Sequence, residues 1–263
     1  MIIIKTTEQI DGIRKSSQLA ADTLVYLEQF AIPGISTGEI NDKADAFIRD
    51  HGAIPACLGY KGFPKSICTS INEVICHGIP SYDVILKEGD ILNIDVTSIL
   101  DGYYGDTCKM YPIGQISEKA QDLIDATREC LFLGINEVRP GAHIGNIGAA
   151  IVENASNRDY TVAWQFCGHG VGLSFHELPS VHHVGIKGTG DVMQPGMIFT
   201  IEPMLNEKKA EAVLLEDRWT ARTVDFGLSA QFGHTILVTP EGHEILTQPS
   251  QASTTLPSES TRT

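Results

Sequence analysis

The chain has 263 residues, of which 42% are hydrophobic, and a formal net charge of −14 at pH 7. Its apolar runs are too short for a membrane span, and its first residues lack the long apolar run of a signal peptide. The acidic balance argues against a nucleic-acid groove, because neutralising phosphates needs a basic face, but it leaves open an acidic cluster that holds cations. Six scattered cysteines predict reduced thiols and a cytoplasmic location.

Two pairs of helices are predicted from capping signals and apolar stripes. Thr6-Thr-Glu-Gln9 and Ser36-x-x-Glu39 each begin a helix in the capping-box manner. A second pair is predicted around Ser117–Val138 and Gly145–Ala155. The chain therefore presents the same helical arrangement twice.

A constant sequence offset indicates an internal repeat. Pro33-Gly34 and Pro140-Gly141, which separate the helices of each pair, lie 107 residues apart. The same offset of 107 relates "EGDILNID" (88–95) to "PGMIFTIE" (195–202), with glycine on glycine and acid on acid. Helix pairs followed by β segments, twice, predict a chain built from two related α/β halves.

The domain organisation follows from this repeat. The halves are expected at about 6–112 and 117–242, and no linker-like segment separates them. We therefore predict a single domain over 1–247. The remaining tail, 248–263, is rich in Ser and Thr and is expected to be disordered.

The segment "ILNIDVTSILDGYYGDTCKMYPIG" is predicted to form a hairpin that turns at Asp101-Gly102. A two-residue turn sets Asp106 opposite Thr97, and Thr97 shares a face with Asp95 because side chains alternate. The two carboxylates are then diagonal neighbours, roughly 5–8 Å apart. Like charges that close need a cation between them or a raised pKa. A solvated acidic face is the plainer alternative, but the apolar residues around Asp95 favour a buried site.

Further candidate ligands lie in the second half. Glu202, in "MIFTIEPM", is an acid in an apolar strand, where a lone buried carboxylate is costly. Facing halves would bring it to the two aspartates, which favours metal binding. "FCGHGVGLSFHELP" adds His169 and His176, whose neighbouring glycines allow close approach of backbone and substrate. This run is not a phosphate loop, because Pro179 stands where a helix should open.

The other histidines are less informative. His77 follows a strand on a turn, and a histidine there would be neutral or charged near physiological pH, so it is kept as a candidate. The ordinary interpretation, a core or surface histidine, is preferred for the remaining ones considered. These are His182, His183 and His243.

Six runs together resemble type I methionine aminopeptidases: "ACLGYKGFPKSICTSINEVICHGIP", "GDILNIDV", "DGYYGDTCKM", "CGHGVGLSFHE", "FTIEPM" and "LSAQFGHTILVT". The match covers residues 4–247 in order. The resemblance implies the α+β pita-bread fold, in which two pseudo-symmetric α/β halves surround a central metal site. It also implies hydrolytic removal of the initiator methionine from nascent chains by a cytoplasmic monomer, with a transient ribosome contact.

The resemblance also assigns the site residues. The metal ligands are Asp95, Asp106, His169 and Glu202, holding one or two divalent ions of Mn, Fe, Co or Zn. Glu202 accepts a proton from the attacking water, while His77 and His176 bind the peptide and stabilise the tetrahedral intermediate. A pocket for the methionine side chain is lined by Cys57, Tyr60, Phe63, Cys68, Phe175 and Trp219.

The chain departs from the family pattern at several positions. Lys61 replaces a histidine of the family's "GYHGYP", and Phe63 replaces its tyrosine, which removes a hydroxyl at the pocket rim. Leu173-Ser174 also differ from the usual residues before the second histidine. These changes are interpreted as tuning affinity. The largest departure is Gly233, because the family's Ser-Ala-Gln-aromatic-Glu-His segment carries there a glutamate that bridges both metals.

Gly233 lowers the expected metal content. Three carboxylates remain where four would balance two divalent ions, so we predict a mononuclear or poorly occupied site, water in the vacancy and impaired hydrolysis. "SAQFGHTILV" (229–238) is predicted as one strand with a glycine inside it. Another register would set His234 opposite Asp106, but the family match places position 233 at the site, which turns His234 away.

Several interpretations remain open. One is an active aminopeptidase that is slower than its relatives or works with one metal. Another is a catalytically weak or inactive relative that serves as a peptide- or partner-binding module. A third is an enzyme whose glutamate was replaced by design or by a sequence error. The retained His77, His176, Glu202 and pocket favour the first and third. An X-Pro-cleaving enzyme of the same fold is disfavoured by the complete methionine-pocket run.

Overall fold

The computed structural model describes residues 1–250 of the chain. The tail predicted to be disordered lies, from residue 251 onward, outside the described residues. Within residues 1–250, no helix combines the length and the apolar character needed to cross a membrane.

Four α-helices are present in the described residues, and they begin at the predicted capping residues or close to them. They are α1 (Thr7–Leu27), α2 (Thr37–Asp50), α3 (Glu118–Asn136) and α4 (Gly145–Asn157). Both predicted capping boxes form, with the side chains of Thr6 and Ser36 accepting from the backbone N–H groups of Gln9 and Glu39. Short 3-10 turns cover Glu28–Phe30 and Tyr60–Gly62.

Fifteen strands in the same residues form four antiparallel sheets. Those of the first half are β1 (Ile54–Pro55), β2 (Cys68–Ile71), β3 (Val74–Cys76), β4 (Ile91–Leu100) and β5 (Tyr103–Pro112). Those that follow are β6 (Thr161–Val162), β7 (Cys167–Gly170), β8 (Glu177–His182), β9 (Ile198–Ile201), β10 (Met204–Asn206), β11 (Ala212–Leu214), β12 (Ala221–Thr223), β13 (Ser229–Gln231), β14 (His234–Val238) and β15 (His243–Ile245).

The sheet of the first half is centred on β4, which pairs with β1, β2 and β5. The β4–β5 hairpin turns at Asp101-Gly102 as predicted, and both turn residues have positive φ, at 52° and 84°, as a two-residue hairpin loop of the primed type requires. Its register sets Thr97 opposite Asp106, also as predicted, and Asp95 opposite Cys108. These four side chains therefore share one face of the hairpin.

The main sheet of the second half has the strand order β15-β14-β9-β7-β8. Its strand β9 begins at Ile198, and β4 begins at Ile91, which reproduces the offset of 107 read from the sequence. Gly89 and Gly196 precede these strands with nearly equal φ values of 93° and 89°. The repeated sequence therefore adopts a repeated local conformation.

The prediction of one continuous strand over 229–238 was wrong. The chain leaves β13, which pairs with β10, and enters β14, which pairs with β9 in a different sheet. Between them Gly233 forms an isolated antiparallel bridge with Cys108 of β5, with N···O distances of 3.1 and 3.2 Å. Thr107 Oγ1 also donates to the Gly233 carbonyl at 2.7 Å. A residue without a side chain lets the backbones of the two halves approach at this point.

Each half packs its helices onto its own sheet. In the first half, Leu24 of α1, Ile40 of α2 and Ile94 of β4 belong to one buried cluster. In the second, a larger cluster is formed by α3, α4, β9 and their neighbours, with Phe199 of β9 fully buried. The helices cover the apolar sides of the sheets, so the polar residues of β4, β5 and β9 are left for the centre between the halves.

Candidate metal centre

Three side chains from both halves converge at the centre of the molecule. Asp106 lies on β5, His169 on β7, and Glu202 directly follows β9. Their ligand atoms all lie within 4.8 Å of one another. His169 Nε2 is 3.3 Å from Asp106 Oδ2 and 3.6 Å from Glu202 Oε1. The arrangement offers one imidazole nitrogen and two carboxylates to a common point.

Hydrogen bonds fix the orientation of the first two of these groups. Thr97 Oγ1 donates to Asp106 Oδ1 at 3.0 Å across the hairpin. His169 Nδ1 lies 2.9 Å from the Gly170 carbonyl and donates to it, which turns Nε2 toward the two carboxylates. The backbone N–H of His169 donates to Thr200 Oγ1 at 2.9 Å.

Glu202 is held by residues that the sequence did not single out. Thr200 Oγ1 donates to Glu202 Oε1 at 2.5 Å, and Gln231 Nε2 donates to Oε2 at 3.2 Å. His183 Nε2 accepts the backbone N–H of Glu202 at 3.0 Å, and burial lowers the pKa of His183 to about 3. The interpretation of His183 as a core residue agrees with its 1% exposure but misses this contact. Only the Thr200 contact had a sequence signal, since it precedes Glu202 by two positions in a strand.

The electrostatics of the group favour a positive charge at its centre. Burial lowers the pKa of His169, but Asp106 and Glu202 more than offset this and raise it to about 9. Burial raises the pKa of Glu202 to about 7, against the opposing effect of His169. Burial, followed by the neighbouring Asp106, raises the pKa of Asp95 well above its usual range. Buried carboxylates around an imidazole form a donor set that suits a divalent transition metal, so the residues present fit such an ion.

The fourth predicted ligand is placed differently. Asp95 shares the hairpin face with Asp106 but does not join the group within 4.8 Å. It lines a small cavity of about 10 Å³ together with Asp106, Glu202 and Gly233. This volume is about what one water molecule needs.

The Cys108 thiol and the Glu202 side chain lie close beside Gly233. A Cβ atom added at position 233 would lie 2.9 Å from Cys108 Sγ and 3.0 Å from Glu202 Cβ. The register with His234 opposite Asp106 does not form, because the bridge between Gly233 and Cys108 sets Thr235 opposite Asp106, and Thr235 Oγ1 donates to the Asp106 carbonyl at 2.7 Å. His234 Nδ1 lies 2.8 Å from Thr247 Oγ1, so the side chain points away from the group.

A cavity of about 620 Å³ opens beside the three ligands. All twelve side chains proposed from the sequence for ligation, catalysis and substrate binding line it. One end is apolar, with Cys57, Phe63 and Cys68 buried and Phe175 and Trp219 packed against them. Lys61, singled out in the sequence as a departure from the family pattern, also lines the cavity. The sequence did not identify the other lining residues, which are Gln165, Phe166, Cys167, Glu177, Leu178, Ser180 and Met204.

Two histidines lie between the ligands and the apolar end. His77, with φ of 56°, sets its ring edge-on to Trp219 at 6.1 Å, and burial lowers its pKa. His176 stacks on Tyr60 with ring centroids 5.2 Å apart, and its ring lies tilted against that of His169 at 4.1 Å. One side of His176 is exposed, yet desolvation on its inner side and the nearby His169 lower its pKa to about 4. Both rings are thus available as neutral hydrogen-bonding groups at neutral pH.

Comparison with known proteins agrees with this geometry. Residues 11–240 match the sequence profile of metallopeptidase family M24. The chain belongs to metallopeptidase family M24. This chain has the α+β pita-bread fold of the family. Its resemblance to methionine aminopeptidases is confirmed by close relatives of that name. The divalent-metal use of the family agrees with the Asp106, His169 and Glu202 group.

The relatives match over almost their full length. Methionine aminopeptidase A of Synechocystis sp. is 52% identical over 246 residues, which cover 94% of this M24 chain and 97% of the relative. Methionine aminopeptidase of Escherichia coli is 47% identical over 247 residues, covering 94% of each chain. The crystal structure of methionine aminopeptidase from Rickettsia prowazekii superimposes with a TM-score of 0.93 at 49% identity, covering 94% of this chain and all of that one.

Proposed function

We propose that the protein is a methionine aminopeptidase, a metal-dependent enzyme that removes the initiator methionine from nascent chains by hydrolysing the first peptide bond. The observation that carries this proposal is the position of the Asp106, His169 and Glu202 group at the wall of a cavity whose other end is apolar. Relatives about 50% identical that bear this name support it. No feature of the cavity favours the alternative of a pure binding module.

The pocket residues select the methionine side chain. Cys57, Tyr60, Phe63, Cys68, Phe175 and Trp219 line the apolar end of the cavity. Phe63 and Trp219 meet edge to face with centroids 5.1 Å apart, and Phe175 packs on Tyr60 at 4.7 Å. A thioether packs well against aromatic edges, and the buried thiols add a polarisable wall. The free α-amine of the substrate then points toward the carboxylates.

The metal ligands are Asp106, His169 and Glu202, with Asp95 and Asp106 as the donors left for a second position. When bound, a divalent ion supplies Lewis-acid polarisation of the scissile carbonyl and a nucleophilic water at neutral pH. Mn, Fe, Co and Zn all suit the oxygen and nitrogen donors, and availability decides among them. Gly233 leaves the second position with few donors, so we propose one firmly held ion and impaired hydrolysis.

Three side chains carry the proton and charge chemistry. Glu202, fixed by Thr200 and Gln231, accepts a proton from the attacking water. His77 and His176 donate hydrogen bonds to the peptide and stabilise the negative charge that develops on the carbonyl oxygen. Since both rings have lowered pKa values, they do so as neutral imidazoles at pH 7.

The cellular setting follows from the substrate. We propose a cytoplasmic monomer that contacts the ribosome transiently and acts on the N-terminal methionine of emerging polypeptides. The six cysteines support a reducing compartment, since all of them are free thiols.

The test is hydrolysis of Met-Ala-Ser by the purified protein supplied in turn with Mn²⁺, Fe²⁺, Co²⁺ and Zn²⁺. We expect release of methionine, no release from Ala-Pro-Ser, and loss of release in His169→Ala. Binding of Met-Ala-Ser without hydrolysis under any metal contradicts the proposal in favour of a binding module. Preference for Ala-Pro-Ser contradicts it in favour of an X-Pro peptidase.

A further inference from the structure

A buried ion pair lies behind the loop that carries His176. Glu177 directly follows His176, and Glu177 Oε2 accepts from Lys5 Nζ at 2.5 Å. The two side chains are 6% and 0% exposed. Glu177 Oε1 accepts the backbone N–H groups of Leu173 and Ser174 at 2.6 and 2.8 Å. Both oxygens of the Glu177 carboxylate therefore accept hydrogen bonds from the loop or from Lys5, although Glu177 also lines the substrate cavity.

The loop is fixed at its start by close contacts. Gly172 has φ of 134°, and a Cβ there would lie 2.3 Å from Ile13 Cδ1 of α1. Its carbonyl accepts the N–H of Tyr104 of β5 at 2.9 Å. Lys5 is itself anchored, since its backbone N–H donates to the Gly196 carbonyl at 2.9 Å. Residues from both halves thus converge on the loop.

His176 has little else to hold it in place. Within residues 1–250, its ring nitrogens make no hydrogen bond, and its contacts are ring packing against Phe175, Tyr60 and His169 at centroid distances of 4.4, 5.2 and 4.1 Å. Ring packing restrains tilt and distance but leaves rotation and sliding less restricted. The direction of the ring nitrogens therefore depends on the backbone of residues 173–177.

We infer that Lys5 and Glu177 are positioning residues that aim His176 and Phe175 at the substrate. The buried carboxylate accepts two backbone N–H groups of the loop, and the Lys5 ammonium group holds that carboxylate in place. The alternative is that the Lys5–Glu177 ion pair contributes only to the stability of the fold. The substrate contact of His176 rests on the proposed function. The restraint of the loop by Lys5 and Glu177 does not depend on that function.

The decisive variants are Lys5→Met and Glu177→Gln, with Lys119→Met as the matched control because it breaks an ion pair, Lys119–Glu207, away from the cavity. We expect kcat for Met-Ala-Ser to fall about 10- to 100-fold in both variants, since small misplacement of a catalytic group costs that much. KM should change little and bound metal per chain should not change. The control should keep the parent kcat.

The double variant Lys5→Met/Glu177→Gln tests that the two residues act as one unit. Its kcat should equal that of either single variant, because the loop restraint is lost once, whereas independent residues would multiply their effects. A multiplied loss overturns the inference of a shared role.

Hydrogen exchange separates this inference from the proposed function. The amides of Leu173 and Ser174 should exchange faster in Lys5→Met at a temperature well below unfolding, while those of α3 stay unchanged. Unchanged exchange overturns the loop restraint. Faster exchange with parental kcat overturns the catalytic positioning. If the parent protein fails to hydrolyse Met-Ala-Ser, the exchange result still decides the restraint. Should Glu177→Gln not fold, Lys5→Met alone carries the kcat, metal-content and hydrogen-exchange measurements.

Discussion

The rings of His169 and His176 pack against each other with centroids 4.1 Å apart, tilted at an interplanar angle of 36°. One ring presents a nitrogen to two carboxylates, and the other faces the substrate cavity. His169, the proposed metal ligand, and His176, the proposed substrate contact, are therefore neighbours in space with different proposed chemical roles. Their roles can be separated by substitution.

Replacing His176 should impair turnover without removing metal. We expect His176→Ala to lower kcat for Met-Ala-Ser by about 10²- to 10³-fold, the usual cost of removing one donor to a developing oxyanion. Metal per chain, measured by atomic emission after dialysis, should match the parent. Loss of metal in His176→Ala would instead make this histidine part of the ligand set.

Replacing Asp106 should remove the metal. Asp106→Asn takes away a charged donor that the group within 4.8 Å needs, so we expect less than half of the parental metal content and hydrolysis below one-hundredth of the parent (about 3 kcal/mol). Asp125→Asn is the control, because its side chain is 45% exposed on the solvent side of α3, and it should leave both unchanged. Parental metal content in Asp106→Asn would contradict the assigned centre.

Restoring a glutamate at position 233 should work best together with a smaller neighbour. The new Cβ would lie 2.9 Å from Cys108 Sγ, so Gly233→Glu alone should lower the melting temperature. Adding Cys108→Ser should recover the melting temperature and allow the second metal equivalent, together with faster hydrolysis. Titration calorimetry with Mn²⁺ counts the equivalents. Equal stoichiometry in the parent, single and double variants would contradict the vacancy at Gly233.

Asp122 should stabilise the fold in a pH-dependent way. Its pKa lies below the ordinary 3.8, because Tyr160 Oη donates to Oδ2 at 2.6 Å and Arg158 pairs with Oδ1. A depressed folded-state pKa stabilises above the unfolded-state value, and this contribution is lost as pH falls through the folded-state pKa. Since Asp122 is 52% exposed, the effect should stay below about 1 kcal/mol.

The measurement is urea unfolding of the parent and Asp122→Asn between pH 2.5 and 7. The parent should be the more stable at pH 7, and the difference should shrink toward the acid end. A difference that persists undiminished at the lowest pH would assign the effect to packing. High salt should reduce the stability difference between the parent and Asp122→Asn, because the Asp122 carboxylate is partly exposed.

Local sequence rules predicted much of the site and failed where distant segments meet. The Asp101-Gly102 turn correctly set the register of Asp106, because a two-residue loop leaves the strands no freedom to slip. The capping boxes at Thr6 and Ser36 located two helices for the same local reason. The strand break at Gly233 could not be predicted from the sequence. It arises because the residues before and after Gly233 pair with strands of different sheets.

The residues that hold the proposed site residues in place were the least predictable from the sequence. Gln231 reaches Glu202 from 29 residues away, and Lys5 reaches Glu177 across 172 residues. His183 resembles any buried histidine in sequence, and only the packed structure shows its contact with Glu202 N–H. Such partners are determined by tertiary packing, which spacing along one chain does not encode.

The bridge between Cys108 and Gly233 lies at the boundary between the two halves, and the proposed metal ligands lie on both sides of it. Asp106 belongs to one half, while His169 and Glu202 belong to the other. An ion held by all three is therefore a cross-link between the halves, and its affinity is linked to the free energy that keeps them closed. Free metal at a hundred times its dissociation constant adds about 2.7 kcal/mol to stability. A chelator should accordingly lower the melting temperature of this protein as well as its activity.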